Sequence, residues 1–168
     1  MARLVRRKVT YGRLCQLLAY DEDAGIFTWL EHQGAVKPGD VAGTINSDGS
    51  ISIGIDHRIY RAARLAHLYM TGKWPRGCII LRDGDPTNIR WENIRPVTLP
   101  QERWRRGMQR NNTSGFKGVT FDKQMKKFRV EIRANKRRYR LGHFNSVRLA
   151  HWAYRRAALR LHGEFART

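Results

Sequence analysis

The strict alternation of apolar and charged side chains in the C-terminal third of this chain constrains its fold more than any other feature. In "KKFRVEIRA" the residues Phe128, Val130 and Ile132 recur at every second position, and in "NKRRYRLGHF" Tyr139 and Leu141 do the same. A period of two indicates β-strands with one buried and one exposed face. The two strands are therefore predicted to pair as an antiparallel sheet with a basic outer face. The side chains expected on that face are Arg129, Glu131, Arg133, Arg138 and Arg140.

The segments on either side of these strands predict the rest of a small α+β module. "FKGVTFD" precedes them as a third strand candidate, and "SVRLAHWAYRRAALRLHG" follows them with helical spacing. Ser146 is the expected N-cap of this helix and Gly163 its expected end. Because the apolar stripe of the helix is rich in alanine, the helix is expected to lie close against the sheet. That stripe consists of Ala150, Ala153, Tyr154, Ala157, Ala158 and Leu161.

The N-terminal part of the chain predicts several short elements. Leu14, Leu17 and Leu18 have helical spacing, "IFTWL" is a strand candidate, and "DVAGTI" and "ISIGI" flank the turn "NSDG" as a hairpin. "HRIYRAA" predicts a strand leading into the helix "ARLAHLYMTG", which Gly72 ends. The polar, turn-rich stretch "NNTSG" places a domain boundary near residue 110.

The net charge of +19 is the strongest indication of what the chain binds. Residues 111–168 hold 15 Lys and Arg against 3 acids, so the excess belongs mainly to the C-terminal module. Positive charge of this size favours a polyanion, most often a nucleic acid. A solvated basic surface is the alternative.

Membrane insertion and secretion are not expected. No apolar run approaches the roughly 18 residues that a membrane helix needs. "MARLVRRKVT" lacks the apolar core of a signal peptide, so the expected location is the cytoplasm. Cys15 and Cys78 do not have a metal-binding spacing, and both are predicted to be reduced, mostly buried thiols.

The predicted basic sheet has the dimensions of a DNA-reading element. A ribbon of two or three strands can enter the major groove of B-DNA, which is about 12 Å wide. Arginine can bond guanine at two points there, while the remaining cations neutralise phosphates and fix the register. Arginines on adjacent strands repel one another unless something neutralises them. Double-stranded DNA would do so, and a solvated sheet face is the alternative.

Residues 111 to about 165 resemble the APETALA/ethylene-response-factor type of DNA-binding domain, whose phage and bacterial versions occur fused to HNH homing endonucleases. "FKGV", "VEIR", "LGHF" and the alanine-rich "AHWAYRRAA" meet the family pattern. The resemblance implies a three-stranded sheet docked in the major groove with an amphipathic helix behind it. Arg148 departs from the acids that the family often has at the start of that helix. The DNA contacts carried over by position are Lys117, Lys127, Arg129, Arg133, Arg138 and Arg140.

Residues 9–106 resemble the nuclease half of the same phage proteins. The similarity lies in "YDEDAGIFTWL", "GDVAGTINSDG", "YRAARLAHLYMTGKWPRG" and "GDPTNIRWENIRPVT". It implies a ββα-metal site in which a histidine deprotonates water. A divalent ion held by an Asp and an Asn would polarise the scissile phosphate of DNA.

Two apolar residues stand at the catalytic positions that this resemblance implies. "IILRDGD" aligns with the family pattern Ile-Asp-His-x-x-Gly-Asp through Gly84 and Asp85. Ile80 then occupies the position of the metal-binding Asp, and Leu81 that of the general-base His. Neither side chain can bind Mg²⁺ or accept a proton, so catalysis is expected to be lost.

Further positions of the nuclease pattern are kept or changed. Asn93 matches the middle Asn, which is expected to orient the histidine, whereas Glu102 replaces the second metal ligand and Ala63 an upstream histidine. No metal is therefore expected, and Mg²⁺ or Mn²⁺ would be required only if nuclease activity survives. The alternative is a relocated metal site formed by Asp83, Asp85 and Glu102.

Two spare histidines offer little to replace the lost base. Asp56 and His57 form an Asp-His dipeptide, but it lies in a hairpin turn and lacks the Gly-Asp that should follow. His67 is expected to be a packed or solvated helix residue.

Together these expectations define an α+β protein. A degenerate ββα-metal (HNH, His-Me finger) domain with N-terminal β-hairpins is expected over residues 1–101, with its ββα core at about 77–106. A basic linker over 102–110 leads to a three-stranded antiparallel sheet plus one helix over 111–168. The linker cations Arg103, Arg105, Arg106 and Arg110 are candidates for a minor-groove arm.

The leading hypothesis is a sequence-specific double-stranded DNA-binding protein, derived from an HNH homing endonuclease that has lost catalysis. It would act as a phage or mobile-element regulator or repressor in the cytoplasm of a bacterial or infected host cell. The second hypothesis is an active metal-dependent nicking or homing endonuclease with a relocated metal site. The third is a structural role on RNA or an acidic protein partner. A homodimer and a host or phage protein partner both stay open.

Overall fold

The computed structural model describes residues 8–168, so most of the segment "MARLVRRKVT" lies outside the described residues. The chain divides into two compact units, with the boundary between Val97 and Thr98. Helices and small antiparallel sheets occur in both units, which confirms the predicted mixture of α and β structure. Within the described range no helix is long and apolar enough to cross a membrane.

The N-terminal unit is built from short strands and two helices over residues 8–97. Its elements are α1 (Tyr11–Leu17), β1 (Leu18–Asp21), β2 (Ile26–Trp29), β3 (Thr44–Ile45), β4 (Ile51–Ile55), β5 (Arg58–Arg61), α2 (Ala62–Thr71), β6 (Cys78–Leu81), a short 3₁₀ turn (Trp91–Asn93) and β7 (Ile94–Val97). β1 pairs with β2, β4 lies between β3 and β5, and β6 pairs with β7, all antiparallel. The predicted hairpins and the helix ended by Gly72 are confirmed.

Helix α1 is shorter than the leucine spacing predicted. Thr10 caps it by accepting a hydrogen bond from the backbone N–H of Arg13 at 3.2 Å. The helix ends at Leu17, because Leu18 already belongs to β1, where it pairs with Trp29. Strand pairing thus overrides the helical spacing at this position.

The core of the N-terminal unit holds the β6–β7 hairpin in place. Phe27 is fully buried and stacks against Tyr20 with ring centroids 4.6 Å apart. The hydroxyl of Tyr20 donates a hydrogen bond to the carbonyl of Ile89, at 2.5 Å, and the amide of Trp91 donates to the carbonyl of Glu22, at 2.9 Å. The connection between β6 and β7 is therefore anchored to the β1–β2 hairpin.

The C-terminal unit is a three-stranded sheet covered by one long helix. Its elements are α3 (Leu99–Arg105), β8 (Val119–Asp122), β9 (Lys127–Ala134), β10 (Arg137–Phe144), α4 (Val147–His162) and a 3₁₀ turn (Gly163–Phe165). β9 lies between β8 and β10, and both pairings are antiparallel. Val130, Ile132, Ala150 and Tyr154 pack together between the sheet and α4, so the predicted inner faces are confirmed. Ser146 occupies the N-cap position of α4 without a side-chain hydrogen bond.

Close packing of α4 on the sheet requires a glycine at position 118. Gly118 has φ +71°, and a Cβ there would lie 2.2 Å from the ring of Tyr154 and 2.9 Å from the carbonyl oxygen of Glu131. The Gly118 carbonyl also accepts a hydrogen bond from the Glu131 amide, at 3.1 Å. A side chain at this point would separate the strand from the helix that covers it.

A β-bulge interrupts β10 and was not predicted. Arg140 pairs with Glu131 and Gly142 with Val130, so Leu141 is an extra residue opposite β9. Because side chains alternate along a strand, one inserted residue exchanges the two faces of everything beyond it. Phe144 consequently packs into the core of this unit.

The segment predicted as a basic linker starts with helix α3. Thr98 and Gln101 form a capping box, in which the Thr98 amide donates to Gln101 Oε1 at 2.8 Å, and Pro100 lies in the first turn. Trp104 stacks on His162 with ring centroids 4.4 Å apart and planes 9° from parallel. Residues 102–105 thus belong to helix α3 of the C-terminal unit, whereas the sequence predicted a basic linker there; a minor-groove contact of their arginines stays a prediction.

Candidate nucleic-acid interface

Four arginines lie on the outer face of the C-terminal sheet, as the alternation predicted. Arg129 and Arg133 project from β9 and are exposed, and Arg138 and Arg140 project from β10 and are exposed. The register places Arg138 directly opposite Arg133. The side chains therefore form one continuous basic surface across two strands.

The carboxylate of Glu131 lies among these arginines. The side chain of Glu131, 23% exposed, is 3.7 Å from Arg129, 3.6 Å from Arg138 and 3.8 Å from Arg140. At these distances the groups form ion pairs without good hydrogen-bond geometry. Exposed ion pairs of this kind contribute about 0–1 kcal/mol each to the free energy of unfolding. One negative charge cannot neutralise three cations, so the face keeps a positive excess.

The two lysines predicted to contact DNA have different surroundings. Lys127 pairs in register with Asp122 at the end of β9 and is half-buried. Lys117 points away from the outer face, because its ammonium donates to the carbonyls of Trp104, at 2.6 Å, and Arg106, at 2.7 Å. Burial, with Arg167 nearby, lowers the pKa of Lys117. The structure thus engages Lys117 inside the C-terminal unit, and its DNA contact stays a prediction.

His143 joins the basic face because of the bulge, and the sequence did not predict it. The register places His143 opposite Arg129. Its Nε2 lies 4.0 Å from Oδ2 of Asp122. The signal available in the sequence was a glycine, Gly142, inside an otherwise regular strand, which is a common sign of a bulge.

The remaining basic candidates are distributed over α3 and the segment after it. Arg103 is exposed and Arg105 half-buried on the helix, while Arg110 is exposed beyond it. Arg106 donates from Nε to Glu102 at 2.9 Å. Part of the charge predicted for an arm is thereby compensated within the C-terminal unit.

The β6–β7 hairpin places the two apolar residues of the nuclease-like pattern on a strand. Ile80 pairs with Arg95 and Leu81 with Ile94, and both side chains are half-buried. Leu81 packs against the core of the N-terminal unit. Along the chain β6, β7 and α3 follow one another, but neither Ile80 nor Leu81 offers an atom that can bind a cation or a proton.

Asn93 organises the loop between these strands. Its side chain is buried; Oδ1 accepts from the Asp83 amide at 3.0 Å, and Nδ2 donates to Asp83 Oδ1 at 2.9 Å and to the carbonyl of Asn88 at 2.7 Å. The Arg82 amide donates to the carbonyl of Asn93 at 3.0 Å. Both ends of the loop are thus tied to one residue, and the Asn93 amide has no donor left for another side chain.

The carboxylates of this loop are also engaged within it. Asp83 accepts hydrogen bonds from Asn93, from the Asp85 amide at 2.9 Å and from Asn88 Nδ2 at 2.6 Å. The bond from Asn93 is the main reason that the pKa of Asp83 is lowered. Asp85 accepts from the amide and the hydroxyl of Thr87 at 2.9 and 2.7 Å.

A divalent ion of the kind implied by the nuclease pattern does not fit these residues. Ile80 and Leu81, at the positions that the resemblance implies for its Asp and His, are apolar, and Asp83 already accepts three hydrogen bonds from the loop. Among residues 8–168 there is no group of three or more His, Cys, Asp or Glu side chains that could hold a metal ion. Glu102 belongs to the C-terminal unit and pairs with Arg106, and the relocated set of Asp83, Asp85 and Glu102 stays a prediction.

The spare acid and histidine side chains have local partners. Asp56 and His57 both have positive φ at the β4–β5 turn, and Asp56 forms an ion pair with Arg13 at 3.2 Å. His67 is half-buried on α2, with Nδ1 at 3.1 Å from the carbonyl of Lys73. The structural role predicted for His67 is thereby supported. Cys15 and Cys78 are free thiols and are half-buried, more accessible than predicted.

Residues 60–101 match the family described as HNH endonuclease. The matched segment starts on β5, includes α2 and the complete β6–β7 hairpin, and ends on α3. The chain therefore carries an HNH endonuclease-like domain. It is also 33% identical over 98 residues to Protein 3.8 of Escherichia phage T7, an alignment that spans 57% of this chain and 79% of the phage protein. The chain belongs to the family of that phage protein. No solved structure matches it.

Proposed function

We propose that this protein binds double-stranded DNA sequence-specifically through the outer face of its C-terminal sheet, as the APETALA/ethylene-response-factor-type resemblance implies. The observation that carries the proposal is the array of four exposed arginines on two paired strands, whose charge exceeds that of the Glu131 carboxylate among them. Arginine is the residue best suited to bidentate contacts with guanine, and it is held here on rigid strands. The net charge of +19 adds a sequence-independent attraction to the phosphate backbone.

We further propose that the HNH endonuclease-like domain has lost catalysis and serves as a scaffold. Support comes from the apolar side chains at Ile80 and Leu81 and from the closed hydrogen-bond network of Asn93. A missing general base alone typically lowers a rate by about 10²–10⁴. Occupation of a DNA site without cutting fits a phage or mobile-element regulator or repressor acting in the cytoplasm of an infected bacterial cell.

The readout proposal is tested with two charge-matched double variants. Arg133→Gln with Arg138→Gln removes two side chains from the outer face, whereas Arg155→Gln with Arg160→Gln removes two exposed arginines from α4. A site is first selected from a random duplex library with the wild-type protein. For each arginine that reads a base, the outer-face variant should bind that site about 5- to 150-fold more weakly, from about 1–3 kcal/mol per bidentate pair. The α4 variant should keep the preference for the site, and equal weakening in both variants would contradict the proposal.

A metal-dependent nicking endonuclease is the second candidate, because residues 60–101 match the HNH endonuclease family. A plasmid-nicking assay with Mg²⁺ and with Mn²⁺ separates the two. We expect no nicking by the wild-type protein. Nicking that disappears in Asp85→Ala or Glu102→Ala would establish the endonuclease instead. Under the proposed loss of catalysis, Ile80→Asp combined with Leu81→His is the change expected to restore cutting at the bound site.

A further inference from the structure

A basic and aromatic pocket in the N-terminal unit is not explained by the sheet or by the β6–β7 hairpin. It has a volume of about 230 Å³ and lies where β5 and the start of α2 meet Trp74. Its polar and aromatic lining consists of Lys8, Arg58, Tyr60, Arg61, Arg64 and Trp74. Tyr60, Arg61, Arg64 and Trp74 lie inside the segment that matches the HNH endonuclease family, which begins at Tyr60.

The aromatic wall of this pocket is rigid. Tyr60 and Trp74 stack with ring centroids 5.6 Å apart and planes 29° from parallel. Both rings are tied to one residue, since the Val9 amide donates to the Tyr60 hydroxyl at 2.9 Å and Trp74 Nε1 donates to the Val9 carbonyl at 3.0 Å. A ligand would therefore meet a preformed surface and would not need to order these rings on binding.

The cations surround these rings. Lys8 lies 5.5 Å and Arg64 6.0 Å from the centre of the Trp74 ring, and Arg58 lies 5.8 Å from the centre of the Tyr60 ring. Ring faces attract cations and hold them at the pocket wall. The pocket therefore presents positive charge together with apolar ring surface.

Two neighbouring arginines of the pocket differ in how their charge is balanced. Arg61 forms an ion pair with Asp48 at 2.8 Å. Arg64 instead donates to the neutral carbonyls of Gly77, at 2.7 Å, and Pro75, at 3.1 Å, which fix its position without cancelling its charge. A concave surface lined by one sign of charge concentrates the field and attracts an ion of the opposite sign.

The geometry points to a binding site for a backbone phosphate of DNA in this pocket, separate from the outer face of the C-terminal sheet. The inference rests on the proposed DNA-binding function and adds a second contact to it. The pocket volume of about 230 Å³ leaves room for a phosphate group and part of its sugar. Arginine and lysine supply the charge that phosphate needs, and the rings offer apolar surface to the sugar. A free inorganic phosphate ion shares this chemistry and is distinguished by the experiment.

The experiment measures how the affinity for a random-sequence duplex depends on salt. The pocket variant is Lys8→Gln with Arg58→Gln, and the control is Lys37→Gln with Arg90→Gln, which removes one lysine and one arginine from positions outside the pocket. Each phosphate contact contributes about 0.9 to the slope of log affinity against log salt. We expect the magnitude of this negative slope to decrease by about 1 to 2 in the pocket variant and to keep the wild-type value in the control. Equal slopes in all three proteins would overturn the inference.

This design separates failure of the pocket from failure of the proposed function, because a random duplex is bound without base readout. If the wild-type protein showed no sequence preference, but the salt slopes of the pocket and control variants still differed, only the sheet proposal would be refuted. If the double variant does not fold, the single change Lys8→Gln is used, and about half the slope change is expected.

A second readout follows the Trp74 indole N–H by NMR, with the Trp74→Phe protein identifying its resonance. The signal should shift when the duplex is added, and much less with inorganic phosphate at equal ionic strength. An equal shift with inorganic phosphate would assign the pocket to a free ion. A shift produced by an acidic peptide but not by DNA would assign it to a protein partner.

Discussion

The loop between β6 and β7 and the outer face of the C-terminal sheet are both rich in polar side chains, yet they use them in opposite ways. In the loop, Asn93 and Asp83 form hydrogen bonds with one another and with nearby backbone groups. On the sheet, four arginines face solvent around the carboxylate of Glu131. Polar groups satisfied from within stabilise a fold, whereas uncompensated charge on a rigid surface is available to a partner. Changes in the loop should therefore alter stability, and changes on the face should alter binding.

The largest expected effect lies beneath the basic face, where the sheet contacts its helix. Gly118→Ala should destabilise the C-terminal unit by several kcal/mol, because about 1 kcal/mol for positive φ adds to about 1–3 kcal/mol for overpacking against Tyr154. Gly115→Ala is the matched control, since Gly115 has φ +75° but open space around it, and about 1 kcal/mol is expected. Urea unfolding of both variants measures the difference. Similar losses would mean that α4 does not pack on the sheet as closely as described.

The next effect tests the loop. Asn93→Ala should lower the free energy of unfolding of the N-terminal unit by about 2–3 kcal/mol, because it leaves the Asp83 amide and the Asn88 carbonyl without partners. Thr87→Ala, in the same loop, removes one exposed hydroxyl and should cost less than about 1 kcal/mol. Thermal unfolding of the two variants is the measurement. If Asn93→Ala is no worse than Thr87→Ala, the loop is not held by this network.

A smaller effect, on DNA binding and not on stability, is expected on the basic face. Glu131→Gln removes the carboxylate among the arginines and should change stability by less than about 1 kcal/mol. It should raise DNA affinity by about threefold to tenfold at low salt, with the gain shrinking as salt increases. Glu92→Gln, an exposed acid in the N-terminal unit, is the control for total charge. Fluorescence anisotropy with a labelled duplex gives both affinities, and an unchanged affinity for Glu131→Gln would place the DNA elsewhere.

The smallest expected effect is a pH dependence of the C-terminal unit. Burial lowers the pKa of His162 below its ordinary value of 6.5, although its hydrogen bond to the Arg133 carbonyl, at 2.9 Å, opposes the shift. The unfolded chain then binds more protons than the folded one below about pH 6.5, so stability falls as the pH falls through that value toward the folded pKa. His162→Gln keeps a donor but cannot titrate, and should remove this part of the dependence. Unfolding measured from pH 7.5 to 5 compares the two proteins, and identical profiles would refute the role of His162.

The regular parts of the C-terminal sheet could be predicted from the sequence because one simple rule governs them. Alternation placed Val130 and Ile132 inside and Arg129 and Arg133 outside, and the structure confirms all four. The rule fails beyond Leu141, because periodicity cannot show where a strand gains a residue. Gly142 was the local sign of that change.

Long polar side chains were harder to predict, since their directions depend on contacts distant in sequence. Lys117 has carbonyl partners 11 and 13 residues away, which no local pattern indicates. Helix α3 was missed for a different reason: Thr98, Pro100 and Gln101 form a recognisable helix start, but the basic composition that follows was interpreted as a linker. The partners of Asn93 likewise emerged only with the loop geometry.

The bulge at Leu141 determines which face of the sheet each later residue of β10 occupies. If Leu141 instead paired regularly with Val130, without the bulge, Phe144 would turn toward solvent and His143 toward the core, although no amino acid had changed. Homologues should therefore be aligned here by which side of the strand each residue occupies. Deletion of Leu141 would make the strand regular and leave His143 on the basic face and Phe144 in the core, because Arg140 and Gly142 already pair with neighbouring residues of β9.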